Sequence, residues 1–513
     1  FFERENDNNV GNALIDMYMK CGLLVEAHEV LNNLLFRGIV SWNAQIAGYV
    51  KHGFVQEALA SFNQMRYEGI FPDAITFACI LKACGTSSRA TNRGCELHTE
   101  IYTMGLLKRD LVVGNALVDM YAKWGELEKA EDVFNELLIE DAISWNTLIS
   151  GYAQHGQAEE ALNCVGRMQI EGLFPDVITF VCILKVCSSS SIIDKGKQVH
   201  VVIINKGLLA KYNDLGSVLV DMYAKFGDIW KAQQVFDEVA DKNLVCWNAL
   251  IAGYVHLEKV EEAFKCCEDM QHDGFSPDSV TFVCMLKACG LMGALDKGKQ
   301  IHDQIVGKGL VVKDTVLGTA LVDMYVKCGE LGKAQEMFDE LSIRDVVTWN
   351  SLISGYTQQG RGEEALDCFR RMQCDNISPD AVTFLCVLTA CSHSGLVDEG
   401  LIHLRSMSRK YGLEPVIEHY TCMLDLLGRA GHLDKAIIMM KEMPPCDYPV
   451  WSALLAACEK WGNVKLGKMA FEQAVALDNM NSRSYVYMAN IYAAAGMLEE
   501  KEKVEAMRLR TSM

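Results

Sequence analysis

The stretch VVTWNSLISGYTQQGRGEEALDCFRRMQCDNISPD, residues 346–380, holds apolar residues at helical period in two blocks parted by a glycine, which predicts a helix, a turn and a helix. Its Trp-Asn pair stands at Trp42-Asn43, Trp145-Asn146, Trp247-Asn248 and Trp349-Asn350, so the asparagines are 103, 102 and 102 residues apart. A unit of about 102 residues therefore recurs. Each unit divides into three pieces in fixed order. The first is 35 residues long, as in IVSWNAQIAGYVKHGFVQEALASFNQMRYEGIFPD at 39–73. The second is slightly longer and carries TFVCMLKAC and then GKQIH, as at 279–314; the third, 31 residues at 111–141, carries LVDMYAK.G and then KA..VF.E.

A helix pair of this length cannot bury its apolar face alone, so successive pairs must stack into a solenoid with a continuous core. The expected class is all-α, a right-handed superhelical α-solenoid of helix-turn-helix repeats. Gly53, Gly156 and Gly360 end the first helix of a 35-residue piece. Pro-Asp at 72–73, 175–176, 277–278 and 379–380 ends the piece, because the residue before proline resists the right-handed helical region. Four of the eight prolines serve as this punctuation.

Composition narrows the function. Half of the 513 residues are apolar, enough for a large core, yet no window approaches 18 uninterrupted apolar residues, so nothing should span a membrane. Twenty cysteines without one CxxC pair do not read as a secreted disulfide framework. The charge of −19 argues against indiscriminate nucleic-acid binding, which needs Lys and Arg for phosphate. The chain opens on FFEREN with no initiating methionine, so a targeting peptide is expected to be missing from it.

The three kinds of piece resemble the P, L and S variants of the pentatricopeptide repeats of plant organelle RNA-editing proteins. The resemblance divides the chain into thirteen repeats at 8–38, 39–73, 74–110, 111–141, 142–176, 177–212, 213–243, 244–278, 279–314, 315–345, 346–380, 381–416 and 417–447. VWSALLAACEKWGNVKLGKMAFEQAVALD, within 448–481, and SRSYVYMANIYAAAGMLEEKEKVEAMRLR, within 482–513, resemble the two E motifs that follow such arrays.

The resemblance implies one nucleotide per repeat, read by the fifth and last residues, with the second residues of adjacent repeats clamping the base. In the P pieces the pairs are Asn43 with Asp73, Asn146 with Asp176, Asn248 with Asp278 and Asn350 with Asp380, the uridine-favouring combination. An Asn amide offers a donor and an acceptor to a Watson–Crick edge, and Asp can accept or orient a partner. Val40, Ile143, Val245 and Val347 would press on the base faces. In the S pieces Asn115 with Asp141 implies U, Ser217 with Asn243 implies A, and Thr319 with Asp345 and Thr421 with Asp447 imply G. The L pieces place Ala78, Val181, Val283 and Leu385 at the fifth position, which cannot bond a base edge, and Asn12 with Gly38 departs from the pattern. From residue 39 onward the implied RNA is U-x-U-U-x-A-U-x-G-U-x-G. Mid-turn Asn and Asp are also ordinary helix caps. Their fixed phase in every P copy, beside varying residues at the same S positions, favours reading over capping alone.

Other chemistry is disfavoured. Cys79/Cys84, Cys182/Cys187, Cys284/Cys289 and Cys386/Cys391 are five residues apart, pointing about 140° apart on a helix, so packing explains them better than a metal site. GALDKGKQ at 293–300 nearly satisfies a phosphate loop, but Gln300 stands where Mg²⁺ needs a hydroxyl and no strand precedes it. His98-Thr-Glu100 is half a zinc-deaminase signature, with no CxxC to complete it; His200, His302 and His403 hold similar places, so helix packing is expected. The Trp residues at 42, 145, 247 and 349 could stack bases but read as core.

The expectation is thus a specificity factor with no catalytic residues, metal or cofactor of its own. It would bind single-stranded organelle RNA rather than DNA, in the mitochondrion or, second, the chloroplast. The resemblance is to the subgroup with E-type motifs and no DYW deaminase domain, which implies a deaminase-bearing partner in trans, or a deaminase segment in a longer chain that continues a cut-short second E motif, with small accessory editing factors on the L pieces. The rivals are a tetratricopeptide-like protein-binding scaffold and a factor for transcript stabilisation or processing. A concave ribbon of fifth and last residues bordered by Lys and Arg favours RNA; fifth and last residues facing neighbouring helices favour the scaffold. The acidic total is tolerable if basic side chains line the groove and carboxylates cover the outer face.

Overall fold

The computed structural model describes residues 2–511 apart from 35, 88–89, 190–191, 210, 311–313, 443–447 and 479–480. Among the described residues there are thirty α-helices and no strand. They form two compact units, Phe1–Leu257 and Glu258–Met513, each an array of antiparallel helix pairs. No helix among the described residues is long and apolar enough to cross a membrane.

The sequence starts and stops its helices by two devices. Asp73, Asp141, Asn243, Asp278, Asp345 and Asp380 stand at N-caps, each accepting a hydrogen bond from the backbone N–H three residues on. Gly53, Gly156 and Gly360 turn the chain after the first helix of a P piece at φ of 80°, 70° and 72°. The remaining P piece, 244–278, has Glu258 in that place at φ 57°, one of two non-glycine residues in the left-handed region among those described.

The second helix of each P piece buries one stripe at i, i+4 and i+7: Ala58, Phe62 and Met65, then Ala161, Val165 and Met168, then Ala365, Phe369 and Met372. Fully burying one such Phe or Met contributes about 1.5–3 kcal/mol. Trp42, Trp145, Trp247 and Trp349 are all buried, and three of them pack edge-on against Phe134, Phe236 and Phe338 with ring centroids 4.5, 4.6 and 4.5 Å apart. They are core, as expected, and offer no face to a base.

Within each unit the first helices of successive pairs pack one on the next, while most second helices pack chiefly on their own partner. The first helices therefore make the tighter, inner layer. Backbones approach closely where a first helix of an S piece meets the first helix of the following P piece. A Cβ at Gly151 would lie 2.6 Å from Ala122 Cβ, at Gly253 2.5 Å from Ala224 Cβ, and at Gly355 2.7 Å from Val326 Cγ1. In the second unit one buried apolar cluster runs from Phe282 to Val504.

Helix propensity alone favours replacing an interior glycine by a better helix former by about 1 kcal/mol. The contact with Ala122 reverses the sign. Gly151→Leu is expected to destabilise the protein by about 1–3 kcal/mol, read as a lower urea midpoint, through overpacking of the inner layer.

Candidate nucleic-acid interface

At three P pieces, 39–73, 142–176 and 346–380, the fifth and last residues are brought together through a third side chain, the threonine three residues after the Asp. Asn43 Nδ2 donates to Asp73 Oδ1 at 3.1 Å, and Thr76 Oγ1 lies 2.6 Å from Asn43 Oδ1 and 2.8 Å from Asp73 Oδ1. Asp73 Oδ1 also accepts from Thr76 N at 2.8 Å, and Asp73 N donates back to Thr76 Oγ1 at 3.2 Å. The one hydroxyl hydrogen lies within reach of both the Asn43 amide oxygen and Asp73 Oδ1, so Thr76 serves both. The same cluster forms at Asn146, Asp176 and Thr179 (3.1, 2.8 and 2.7 Å) and at Asn350, Asp380 and Thr383 (3.0, 2.8 and 2.6 Å). Asn248 lies in the first unit; Asp278 lies in the second, where it caps the next helix through Thr281 N at 2.9 Å.

Each cluster fixes the polarity of its amide. Nδ2 is turned to the carboxylate and Oδ1 to the hydroxyl, which leaves one N–H and one lone pair of the Asn unspent. The asparagines are only 7–9% exposed, so they offer an edge rather than a free side chain. Burial pushes the Asp73, Asp176 and Asp380 carboxyls up, but the Thr N–H, the Thr hydroxyl and the Asn amide outweigh it and hold all three below their ordinary value. They are carboxylates at neutral pH.

Beside these edges stand the predicted clamps. Val40, Ile143, Val245 and Val347 are 55–64% exposed, at the same register position in every P piece. Ile143, Asn146, Asp176 and Ile178 line one groove, and Val316, Thr319, Asp345 and Val347 line another. Each groove thus sets a fifth and a last residue between the second residues of two consecutive pieces. The second residues of the L pieces (Ile75, Ile178, Val280, Val382) and of two S pieces (Val112, Val316) are exposed in the same way. These six were missed as candidate clamps, although their common register in the sequence was available as the signal.

The S pieces are less uniform. Ser217 Oγ donates to Asn243 Oδ1 at 3.2 Å, so that pair is joined. Thr319 reaches Asp345 indirectly, through Thr348 Oγ1 at 2.7 and 2.6 Å. Asp141 is committed to Ser144, whose N and Oγ lie 2.8 and 2.9 Å from it, and Asn115 Oδ1 is buried without a partner among the described residues. Thr421 lines a groove with Leu385, Ile417 and Glu418, while Asp447 lies outside the described residues.

The charge expectation needs correcting. The first helices of the S pieces carry acids as well as bases on the inner layer, joined as Lys20–Asp16 (2.6 Å), Lys123–Asp119 (2.5 Å), Lys225–Asp221 (2.7 Å), Lys327–Asp323 (2.7 Å) and Arg429–Asp425 (2.9 Å). The inner layer is therefore mixed rather than uniformly basic, because lysine four residues after aspartate pairs with it on the same face. Exposed acids do crowd the starts of outer helices, at Glu159 and Glu160, Glu261 and Glu262, and Glu363 and Glu364, where the helix dipole favours them.

The competing chemical readings meet plain packing. His98, His200 and His302 each bond the hydroxyl of a tyrosine 23 residues on, at 2.9, 2.9 and 2.8 Å. Burial pushes the thiols of Cys84, Cys187 and Cys289 up to about 11 and that of Cys391 up to about 12, the opposite of a metal-binding thiolate. Gln300 lies within a helix, Leu295–Gly307, that follows another helix across the turn at Gly293.

Comparison with known proteins gives the family and the fold. The PPR repeat family matches residues 37–86, 140–189, 242–290 and 344–393 in one form and 12–39, 115–140, 217–244, 280–310, 319–346 and 418–444 in another, and the E motif matches 461–513. A pentatricopeptide repeat-containing protein of Arabidopsis thaliana is 35% identical over 494 residues, covering 96% of this chain and 71% of its own length. A chloroplastic relative from the same plant is 34% identical and a mitochondrial one 36%, each covering 96% of this chain, which spans 57% of either. The chain belongs to the pentatricopeptide repeat family. Maize PPR10 has the same fold, with a TM-score of 0.55 at 19% identity over 98% of this chain and 84% of that one. Its complex with an 18-nucleotide psaJ RNA element superposes with the same TM-score at 17% identity, over the same shares of the two chains.

Thr383→Val keeps the shape and removes the hydroxyl that joins Asn350 to Asp380. It is expected to cost about 1–2 kcal/mol at pH 7 in urea unfolding. The sign with pH follows from the depressed Asp380 carboxyl: its stabilisation is complete above the ordinary value of 3.8 and is lost as pH falls through the lower native value. Losing the Thr hydroxyl brings the native value closer to 3.8, so acid unfolding of the variant should begin at higher pH than wild type.

Proposed function

We propose that this protein binds one single-stranded organelle transcript in a sequence-specific manner and marks a cytidine for C-to-U editing by a deaminase supplied in trans or by a longer form of the chain. The observation that carries the reading is the Asn–Asp–Thr cluster held between exposed β-branched side chains. It presents one donor and one acceptor at fixed places beside two apolar surfaces between which a flat base would fit. The remaining Asn N–H matches uracil O4 and the remaining lone pair matches uracil N3–H, which agrees with the uridine the family pattern implies for Asn with Asp. The cluster faces the neighbouring helix and the groove together, so contact with the next helix does not by itself favour a protein-binding scaffold.

Three further facts support the reading. PPR10 is known in complex with RNA and shares this fold. The E motif at 461–513 favours an editing factor over one that only stabilises a transcript. Relatives carry chloroplastic and mitochondrial names, which supports an organelle as the site of action. Small accessory factors docking on the L pieces would complete the assembly.

Filter binding tests the address. RNA of sequence U-x-U-U-x-A-U-x-G-U-x-G should bind far more tightly than the same RNA with its four P-piece uridines changed to G, by about tenfold or more for even one badly mismatched base at 1.4 kcal/mol per decade. Equal affinity for the two RNAs rules the reading out.

A further inference from the structure

The L pieces carry no base-reading residue, yet three of their four first helices share a feature that the S pieces do not. Lys82, Lys185 and Lys287 occupy the ninth position of the helices beginning at Ala74, Val177 and Ser279. All three are exposed. Each stands seven residues after an exposed second residue, Ile75, Ile178 or Val280. Seven residues turn a helix through nearly two full turns, so lysine and clamp share one face, about 10 Å apart along the axis. Lys287 lines the groove that holds Val316, Thr319, Asp345 and Val347.

None of the three lysines has a carboxylate partner among the described residues, whereas the inner-helix Lys or Arg of all five S pieces is paired with an Asp four residues earlier. In a chain of net charge −19, a cation on the inner layer without a partner stands out. Lysine is a compact charge on a flexible stem, suited to a phosphate whose position varies along a strand. The fourth L piece departs: Thr389 stands in that place, bonding Leu385 O at 2.8 Å.

We infer that the L pieces hold the RNA by its backbone, with Lys82, Lys185 and Lys287 each neutralising one phosphate of the strand whose bases the flanking P and S pieces read. This rests on the RNA reading above. The division of labour gives the L pieces a sequence-independent role and lets a strongly acidic protein keep a narrow cationic track.

The test is filter binding across a salt series with the proposed RNA and a scrambled RNA of equal length, for wild type, a K82Q/K185Q/K287Q variant and a K82R/K185R/K287R variant. Each phosphate contact on a single strand contributes about 0.7 to the slope of log affinity against log salt, so the Gln variant should lose about 2 from the slope. It should weaken both RNAs by the same factor, leaving their ratio unchanged, and the Arg variant should keep the wild-type slope. A wild-type slope in the Gln variant overturns this inference alone. Failure of wild type to bind or to discriminate the RNAs overturns the proposed function and the inference with it.

Discussion

Much of this structure turns on one carboxylate oxygen used twice. Asp73 Oδ1 caps the helix that follows it and holds the amide of Asn43 from the helix pair before it. The last residue of a P piece therefore belongs to two pairs at once. That sharing ties the stacking of the array to the orientation of the groove-facing amide. A carboxylate placed to cap well is, by the same geometry, placed to orient, so capping and reading are not alternatives at these positions. Thr76, Thr179 and Thr383 complete the link, each closing a capping box on one side and bonding an Asn on the other.

The fold was legible in the sequence because its signals are local and repeated. The Trp-Asn period, the Pro-Asp stops and the apolar stripes state the helix pairs, and a pair too short to bury its own face states the stacking. Buried Trp145 and Trp349 follow from that logic. What the sequence hid lies between pieces. Thr76 is 33 residues from Asn43 and belongs to a piece whose fifth residue is Ala78, so nothing within one repeat points to it. The S pieces hid more, since Asn115 and Asp141 have the same identities as a P pair but a shorter separation, 26 residues rather than 30, and the carboxylate turns to Ser144 instead. Residue type was readable there; partnership was not.

Charge shows the same limit. Composition gives only a total of −19 and suggests segregation of acids outward. The structure divides the charge more finely, with acids paired to bases along the inner S helices and acid-rich starts on the outer helices. The pairing of Asp119 with Lys123 was recoverable from their spacing of four. The lack of a partner for Lys82 was not, because it depends on which helices become neighbours. On the proposed reading, specificity would come from fixed amide polarity and apolar walls, and only modestly from net attraction.

The central claim is that a single side chain held by this carboxylate decides a single base. It is tested most directly by Asn350→Thr, which places beside Asp380 the residue that Thr319 already presents near Asp345. Binding is measured to two RNAs that differ only at the base assigned to residues 346–380, U in one and G in the other. The account predicts that wild type prefers U, that the variant prefers G, and that preference at every other position is unchanged. Equal loss of affinity for both RNAs, or an unaltered preference for U, would contradict it.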